Sequence, residues 1–379
     1  MLFEIPEGTK DFLLGEAKWK NEIEDLLQKK LRAWGYRQVI TPSYEYLTTL
    51  SQGEESRLDY FSFLSESGAT LALRNDFTTP IARIASIALA EEIRPLRLFY
   101  RGNLFRLKHR DKREFWQAGA ELIGDGSRYA DAEILALAMS ALDELGIKDW
   151  GLDIGHRKIL QGVLEDSALS KKAQKQAEAL LLQKDYAGLK ALVEQEKTGY
   201  DLLLLPSLRG QEEILEIAKT KLASPKAKEA LGEIEEILKA LKPYGYKQIN
   251  IDLAMVKDLS YYTGMFFECY APGLAGIICT GGRYDQLLAN FNHSEPAVGL
   301  AIGIDEIMEV LAPSSQKSLL DIPDLCLVYS EIQYKEAVIE AEKKRQTGFA
   351  VVLAKKGPHL PQAKKYLELL RPSFFLTSN

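Results

Sequence analysis

Gly281-Gly282-Arg283-Tyr284-Asp285 stands between the apolar run Ile277-Ile278-Cys279 and the pair Leu287-Leu288. The run reads as a buried strand and the leucines as the start of a helix. That sets the glycines at a strand end, where side chains and ligands meet. Paired glycines free the backbone and leave room for a ligand to lie against it. Arg283 adds a planar fork of donors at that spot. An isolated pair of this kind reads as a tight turn over a core, and here the neighbouring stretches argue for a ligand instead. One of them, Pro296 to Glu306, brings Gly299 and Gly303, and Val298 to Val310 reads as a strand entering a helix.

Upstream, Tyr261-Tyr262 follow a loop and precede a strand, which offers aromatic walls and hydroxyls; core or interface packing is the commoner use of such tyrosines. Farther back lie two strands, Leu96 to Phe105 and Glu114 to Leu122, joined by the basic loop Leu107 to Lys112. Side chains alternate across a strand, so Gln117, Gly119 and Glu121 share one face, while Ala118, Ala120 and Leu122 form an apolar one. Arg106 on the partner strand reaches the polar face. So many polar groups on a buried face need partners, and a bound polar ligand supplies them. Ahead of this hairpin, Asp76 and Thr78 in Leu73-Arg74-Asn75-Asp76-Phe77-Thr78 suit capping of a helix from Pro80 to Leu89, and equally suit facing a pocket; the two roles are compatible.

The N-terminal region is a helix with Trp19, Ile23, Leu26, Leu27 and Leu31 at helical spacing, stopped by Gly35 and followed by a strand from Tyr36 to Thr41. A helix is expected from Asp131 to Leu145, with Gly146 as its stop, and a strand from Trp150 to Ile154. Residues 158 to about 245 form a helical insertion rich in Leu, Lys, Glu and Ala, after which Gln248 to Asp252 restart a strand. Ala312 to Ser318 is a linker. Residues 319–379 then form a small α/β module: strand Leu325–Val328, helix Glu336–Arg345, strand Phe349–Leu353 and a short helix Lys364–Leu370.

The chain has 379 residues, 46% of them apolar and 27% charged, with a net charge of -6. This is a globular composition long enough for more than one domain. No apolar run is long enough to span a bilayer, and no signal-peptide pattern opens the chain. Cys269, Cys279 and Cys326 form no CxxC pair, and the four histidines are scattered. Buried thiols in a reducing cytoplasm are expected, without metal or cofactor. The acidic balance argues against nucleic acid as a partner. Lys343-Lys344-Arg345 and Lys355-Lys356 would make a local basic patch or, more simply, a solvated helix face.

Together, Leu73 to Thr78, Phe105 to Gly124, Leu253 to Tyr262, Gly281 to Asp285 and Ala297 to Gly303 resemble histidyl-tRNA synthetase. The likeness covers residues 1–312, with the helical insertion the least similar part. It implies an α+β fold, the class II aminoacyl-tRNA synthetase core: a mainly antiparallel sheet flanked by helices. It also implies a homodimer built through the N-terminal helix–glycine–strand–proline region, which is similar to motif 1. The resemblance assigns Asp76, Thr78, Gln117, Glu121, Tyr261 and Tyr262 to a histidine pocket, with Gly281, Gly282 and Arg283 beside them. It makes Arg106 the motif 2 arginine that holds the aminoacyl carboxylate and the α-phosphate of ATP.

Three departures separate the chain from the active synthetases it resembles. Glu306 stands where the arginine that grips the γ-phosphate belongs. A carboxylate about 5 Å from a phosphate charge at an effective dielectric of about 20 costs on the order of 3 kcal/mol where arginine gains as much. That swing of about 6 kcal/mol is roughly four decades in affinity. Lys108 replaces a motif 2 glutamate. Lys257 replaces the arginine at the histidine carboxylate and loses its bidentate fork. An intact amino-acid half beside a disabled ATP half resembles the synthetase-like regulatory subunits of ATP phosphoribosyltransferase. That family implies a non-catalytic role, a short catalytic subunit as partner and feedback by L-histidine. A divergent active synthetase and a tRNA-binding or amino-acid-sensing module are the alternative readings.

Overall fold

The computed structural model describes residues 3–52, 60–107, 112–245, 249–257, 261–312 and 322–368. Contacts group the chain into two units, residues 1–11 with 20–312, and residues 12–19 with 313–379. Helix α1 (Gly15–Ala33) buries Ile23, Leu27 and Leu31, the stripe its spacing predicts, and Gly35 ends it at φ +83°. Strands β1 (Arg37–Gln38), β2 (Tyr44–Tyr46), β3 (Ser62–Leu64) and β4 (Thr70–Leu73) follow, with the short helix α2 (Leu47–Leu50) after β2. The expected strand from Tyr36 to Thr41 is thus cut to two paired residues. Pro42 has no N–H to extend a ladder.

Next come α3 (Thr78–Ile87), the hairpin β5 (Leu96–Phe105) and β6 (Glu114–Ile123), α4 (Arg128–Glu144) and β7 (Gly151–His156). The insertion holds α5 (Arg157–Asp166), α6 (Lys171–Leu182), α7 (Tyr186–Glu196), the two-residue strand β8 (Arg209–Gly210), α8 (Ile214–Lys221) and α9 (Pro225–Leu241). Four of its helices start on side-chain caps, with His156, Ser170, Asp185 and Ser224 accepting from the Lys158, Ala173, Gly188 and Ala227 amides. The first unit closes with β9 (Ile249–Asp252), β10 (Met265–Tyr270), β11 (Cys279–Arg283), β12 (Ala297–Gly303) and α10 (Ile304–Val310).

Nine strands make one sheet in the order β1-β5-β6-β12-β11-β10-β7-β9-β8. β1 runs parallel to β5 and β7 parallel to β9; the other pairs are antiparallel. α3 packs Phe77, Ile81 and Ala85 into a core with Leu98, Tyr100, Leu104, Tyr284 and Leu288. Each fully buried leucine there contributes roughly 2 kcal/mol. Gly281 and Gly282 are not at a strand end. They lie inside β11, between β10 and β12, while Ile277 stays outside the ladder and is 44% exposed. Leu288–Phe291 forms a single 3-10 turn rather than a helix.

The second unit carries β13 (Leu325–Tyr329), α11 (Tyr334–Gln346), β14 (Val351–Lys355) and β15 (Lys365–Glu368) as a three-stranded parallel sheet ordered β14-β13-β15. The short helix expected at Lys364–Leu370 is instead strand β15. Pairing with the open edge of β13 satisfies backbone groups that a single turn of helix would leave unbonded.

Candidate functional site

The antiparallel register places Glu121 opposite Gly299, and Gly299 opposite Gly282. One step along, Tyr100 faces Gly119, Gly119 faces Ala301 and Ala301 faces Thr280. The glycines matter for what lies over them. A Cβ on Gly299 would sit 1.7 Å from Glu121 Oε2, and one on Gly119 would sit 2.3 Å from the Tyr100 hydroxyl. The bare backbone of these strands therefore makes room for a carboxylate and a phenol on the sheet surface.

Over this floor lies a cavity of about 70 Å³, lined among others by Asp76, Thr78, Arg106, Gln117, Glu121, Tyr261, Tyr262, Gly281 and Gly282. That is several times the roughly 10–15 Å³ one water needs. Nine of the residues expected at a ligand site thus converge on one cavity. Glu121 is 1% exposed. Its Oε1 accepts from Thr78 Oγ1 at 2.9 Å and its Oε2 accepts from the Tyr284 hydroxyl. Burial pushes its carboxyl up to about 8, against the pull of these two donors and with a smaller push from Asp76. Among the described residues no cationic side chain bonds it. Asp76 Oδ1 accepts from the Thr79 amide at 2.6 Å, so it anchors the first turn of α3 and lines the cavity as well. Its carboxyl is also raised by burial, opposed by the Thr79 amide and by the Arg106 charge. Burial first of all raises Tyr100, Tyr261, Tyr262 and Tyr284, which keeps their hydroxyls protonated and able to donate.

Two expected residues stand elsewhere. Arg283 does not offer its fork to the cavity. Its guanidinium is 2% exposed and donates to Asp131 at 2.8 Å, to Asp285 at 3.1 Å and to the Asp125 and Ser127 carbonyls. It ties β11 to the start of α4. Lys257 sits behind the wall: its ammonium is held by the Glu268 carboxylate and by Thr280 Oγ1 at 2.9 Å, and it is Thr280 that lines the cavity. Gly299, from the stretch Pro296 to Glu306, also lines the cavity, and Tyr100, Thr280 and Tyr284 belong to the site without having been assigned to it from sequence. Tyr284 lies inside the Gly281–Asp285 motif, which was its one visible signal.

A second, outer cleft of about 430 Å³ adjoins the cavity and shares Arg106, Gln117, Thr280 and Ala301 with it. Its other walls include Leu104, Phe115, Trp116, Leu274 and Ile278. Arg106 lies over the Phe115 ring, 5.4 Å from its centroid. Glu306 and Glu309 also line it, and Glu306 Oε1 is 3.6 Å from Lys112 Nζ. Asp305 Oδ2, beside them, accepts from the Trp116 amide at 3.0 Å and so docks α10 on β6. Lys108 lies outside the described residues. Among the basic C-terminal residues, Lys344 pairs with Glu340, Arg345 with Glu342 and Lys355 with Glu331. No described helix is long and apolar enough to cross a membrane, and no described His, Cys, Asp and Glu cluster could hold a metal ion.

The histidyl-tRNA synthetase family matches residues 8–307. An ATP phosphoribosyltransferase regulatory subunit of Bacillus pumilus is 37% identical over 363 residues, spanning 93% of this chain and 91% of that protein. A crystal structure from Bacillus halodurans, described as an ATP phosphoribosyltransferase regulatory subunit/histidyl-tRNA synthetase, superposes with a TM-score of 0.89 at 32% identity. It covers 98% of this chain and 100% of its own. Histidyl-tRNA synthetase from Nostoc shares the fold, with a TM-score of 0.80 at 22% identity over 95% of this chain and 88% of that one.

Proposed function

Starting from the fact that the chain belongs to the histidyl-tRNA synthetase family, and within it to the ATP phosphoribosyltransferase regulatory subunits, we propose that it senses L-histidine in the inner cavity and controls a separate catalytic subunit. The role is regulatory and non-catalytic, in histidine biosynthesis, with catalysis on the other chain. The observation that carries the sensing reading is Glu121: a carboxyl buried on a bare glycine floor, with two hydroxyl donors and, among the described residues, no cationic partner. Burying an acid without a cationic partner is unfavourable, and an imidazole that brings an N–H or a positive charge corrects it. Asp76 and Gln117 suit the ligand's ammonium, and Arg106 at the mouth suits its carboxylate.

The outer cleft supports the non-catalytic half of the reading. Glu306 and Glu309 face the space a triphosphate would need, where repulsion replaces attraction. Purified protein is expected to give no histidine-dependent exchange of pyrophosphate into ATP. Restoring arginine at position 306 alone is not expected to start it, because Lys108 and Lys257 also depart, and Lys257 is already held by Glu268.

Sensing needs a second site whose state depends on occupancy, and coupling is limited by the ligand's differential affinity for two states. We place that second site on the short catalytic subunit, within a cytoplasmic hetero-oligomer in which this chain is a homodimer through its motif 1-like region. Residues 1–312 form the sensing domain and residues 319–379 a separate module. Mixing the two purified chains tests this. The catalytic chain alone should be nearly inactive, this protein should activate it, and histidine should inhibit the mixture. Full activity of the catalytic chain alone, unchanged on adding this one, would discard the assignment.

A further inference from the structure

The inner cavity accounts for an amino acid, but not for the cleft beside it. Arg106 and Gln117 line both spaces, so the end of the ligand that meets Arg106, its α-carboxyl group, lies at the opening between them. Beyond that opening are about 430 Å³ walled by Leu104, Phe115, Leu274 and Ile278. Two carboxylates, Glu306 and Glu309, stand on its lining. We propose that the outer cleft is a second subsite, which takes an uncharged, apolar substituent attached to the carboxyl carbon of a histidine held in the inner cavity. The ligand class is amides of histidine, including peptides that begin with histidine and continue with an apolar residue. This rests on the histidine reading of the inner cavity.

The chemistry orders a ligand series. Histidinamide lacks the carboxylate charge and loses attraction to Arg106 relative to histidine. Histidyl-leucinamide has the same loss but lays a leucine side chain on the apolar wall. Burying about 40 Å² of apolar surface there makes it roughly fivefold tighter than histidinamide. Histidyl-glutamic acid amide brings a carboxylate toward Glu306 and Glu309 and is roughly tenfold weaker than the leucine ligand.

Competition calorimetry against L-histidine reads all of these on the full-length protein. Two variants locate the effect. Glu306→Gln with Glu309→Gln should close the gap between the leucine and glutamate ligands. Gly276 lies on the cleft lining, and a Cβ there would meet only the Leu274 side chain, at 3.8 Å. Gly276→Trp should therefore fold, leave histidine binding unchanged and remove the leucine ligand's gain over histidinamide. Histidine binding with no gain for histidyl-leucinamide in the wild type overturns this proposal alone. No histidine binding at all overturns it together with the sensing reading. A leucine-over-glutamate preference that survives the double glutamine variant overturns the role given to Glu306 and Glu309.

Discussion

Replacing Glu121 by glutamine should weaken histidine binding and, at the same time, stabilise the empty protein. The two effects have separate causes. The bound ligand loses a charge-assisted hydrogen bond, roughly 1.5–3 kcal/mol, so affinity falls roughly 10- to 150-fold. The empty protein loses an unfavourable buried acid. Its carboxyl moves from an ordinary 4.5 to about 8 in the folded state. The folded form therefore binds more protons between these values, and the stability this group contributes is fully present below about 4.5 and is lost as pH rises through about 8. Integrated, the wild type is worse off by on the order of 3 kcal/mol at pH 7, about 4 at pH 8 and only about 1 at pH 5. Glutamine has the same shape and does not titrate, and the Thr78 and Tyr284 hydroxyls can turn to meet its amide. For a chain of 379 residues, about 4 kcal/mol is roughly 5 °C in melting temperature. Scanning calorimetry without ligand should thus show the variant melting higher at pH 8, with the gap nearly closed at pH 5. Isothermal titration should show it binding histidine poorly. A variant that melts below the wild type at pH 8 and binds histidine equally well would refute both halves of the reasoning.

The affinity for histidine should itself depend on pH: if the bound state is an imidazolium–carboxylate pair, affinity is highest between about 6.5, where free imidazole titrates, and about 8, where Glu121 does. Titration calorimetry should show it falling on both sides, and a steady rise to pH 9 contradicts the ion pair. Gly299→Ala drives a Cβ to within 1.7 Å of Glu121 Oε2 and should lower both melting temperature and histidine affinity. Gly232→Ala is the control: it sits in α9 with open space around it, and should raise stability by about 1 kcal/mol in denaturant titration. Arg283→Met takes from the fully buried Asp131 carboxylate its 2.8 Å partner and leaves it only Arg128 at 3.5 Å, which should cost about 3 kcal/mol, most of it recovered by adding Asp131→Leu; equal stability of single and double variants contradicts the pairing.

What was legible in sequence had a short range or a strong period. The β5–β6 hairpin shows because ten residues of alternation on either side of a basic loop are hard to read otherwise, and Gln117 and Glu121 follow from period two alone. Gly35 and Gly146 end their helices where expected because each takes a positive φ, at +83° and +74°. The misreadings involve partners far off in the chain. Nothing near Arg283 announces that Asp131, 152 residues earlier, takes its guanidinium. Tyr100 joins the site through strand register and Tyr284 through the hydrogen bond of its hydroxyl to Glu121, 163 residues earlier, and neither is encoded in a single strand. The glycines were misplaced because Ile277-Ile278 looks like a strand, whereas the β10–β11 ladder begins at Cys279. At Lys365–Glu368 a sequence without period was settled by the free edge of β13.

The same buried acid supports the proposal that this site senses histidine rather than reacts with it. Glu121 does nothing favourable for the empty fold at neutral pH; its environment disfavours the charged form and its partners only soften that cost. A ligand that supplies the missing positive charge removes the penalty, so binding energy is released into the strands that surround the carboxyl, β6 through its own backbone, β12 through Gly299 and α3 through Thr78. At a histidine concentration one hundred times its dissociation constant, this amounts to about 2.7 kcal/mol in favour of the liganded arrangement. On the proposed reading, a triphosphate in the neighbouring cleft would meet Glu306 and Glu309 on its lining. The energy therefore has no reaction to drive, and only a shift between conformations or partners is left for it to bias.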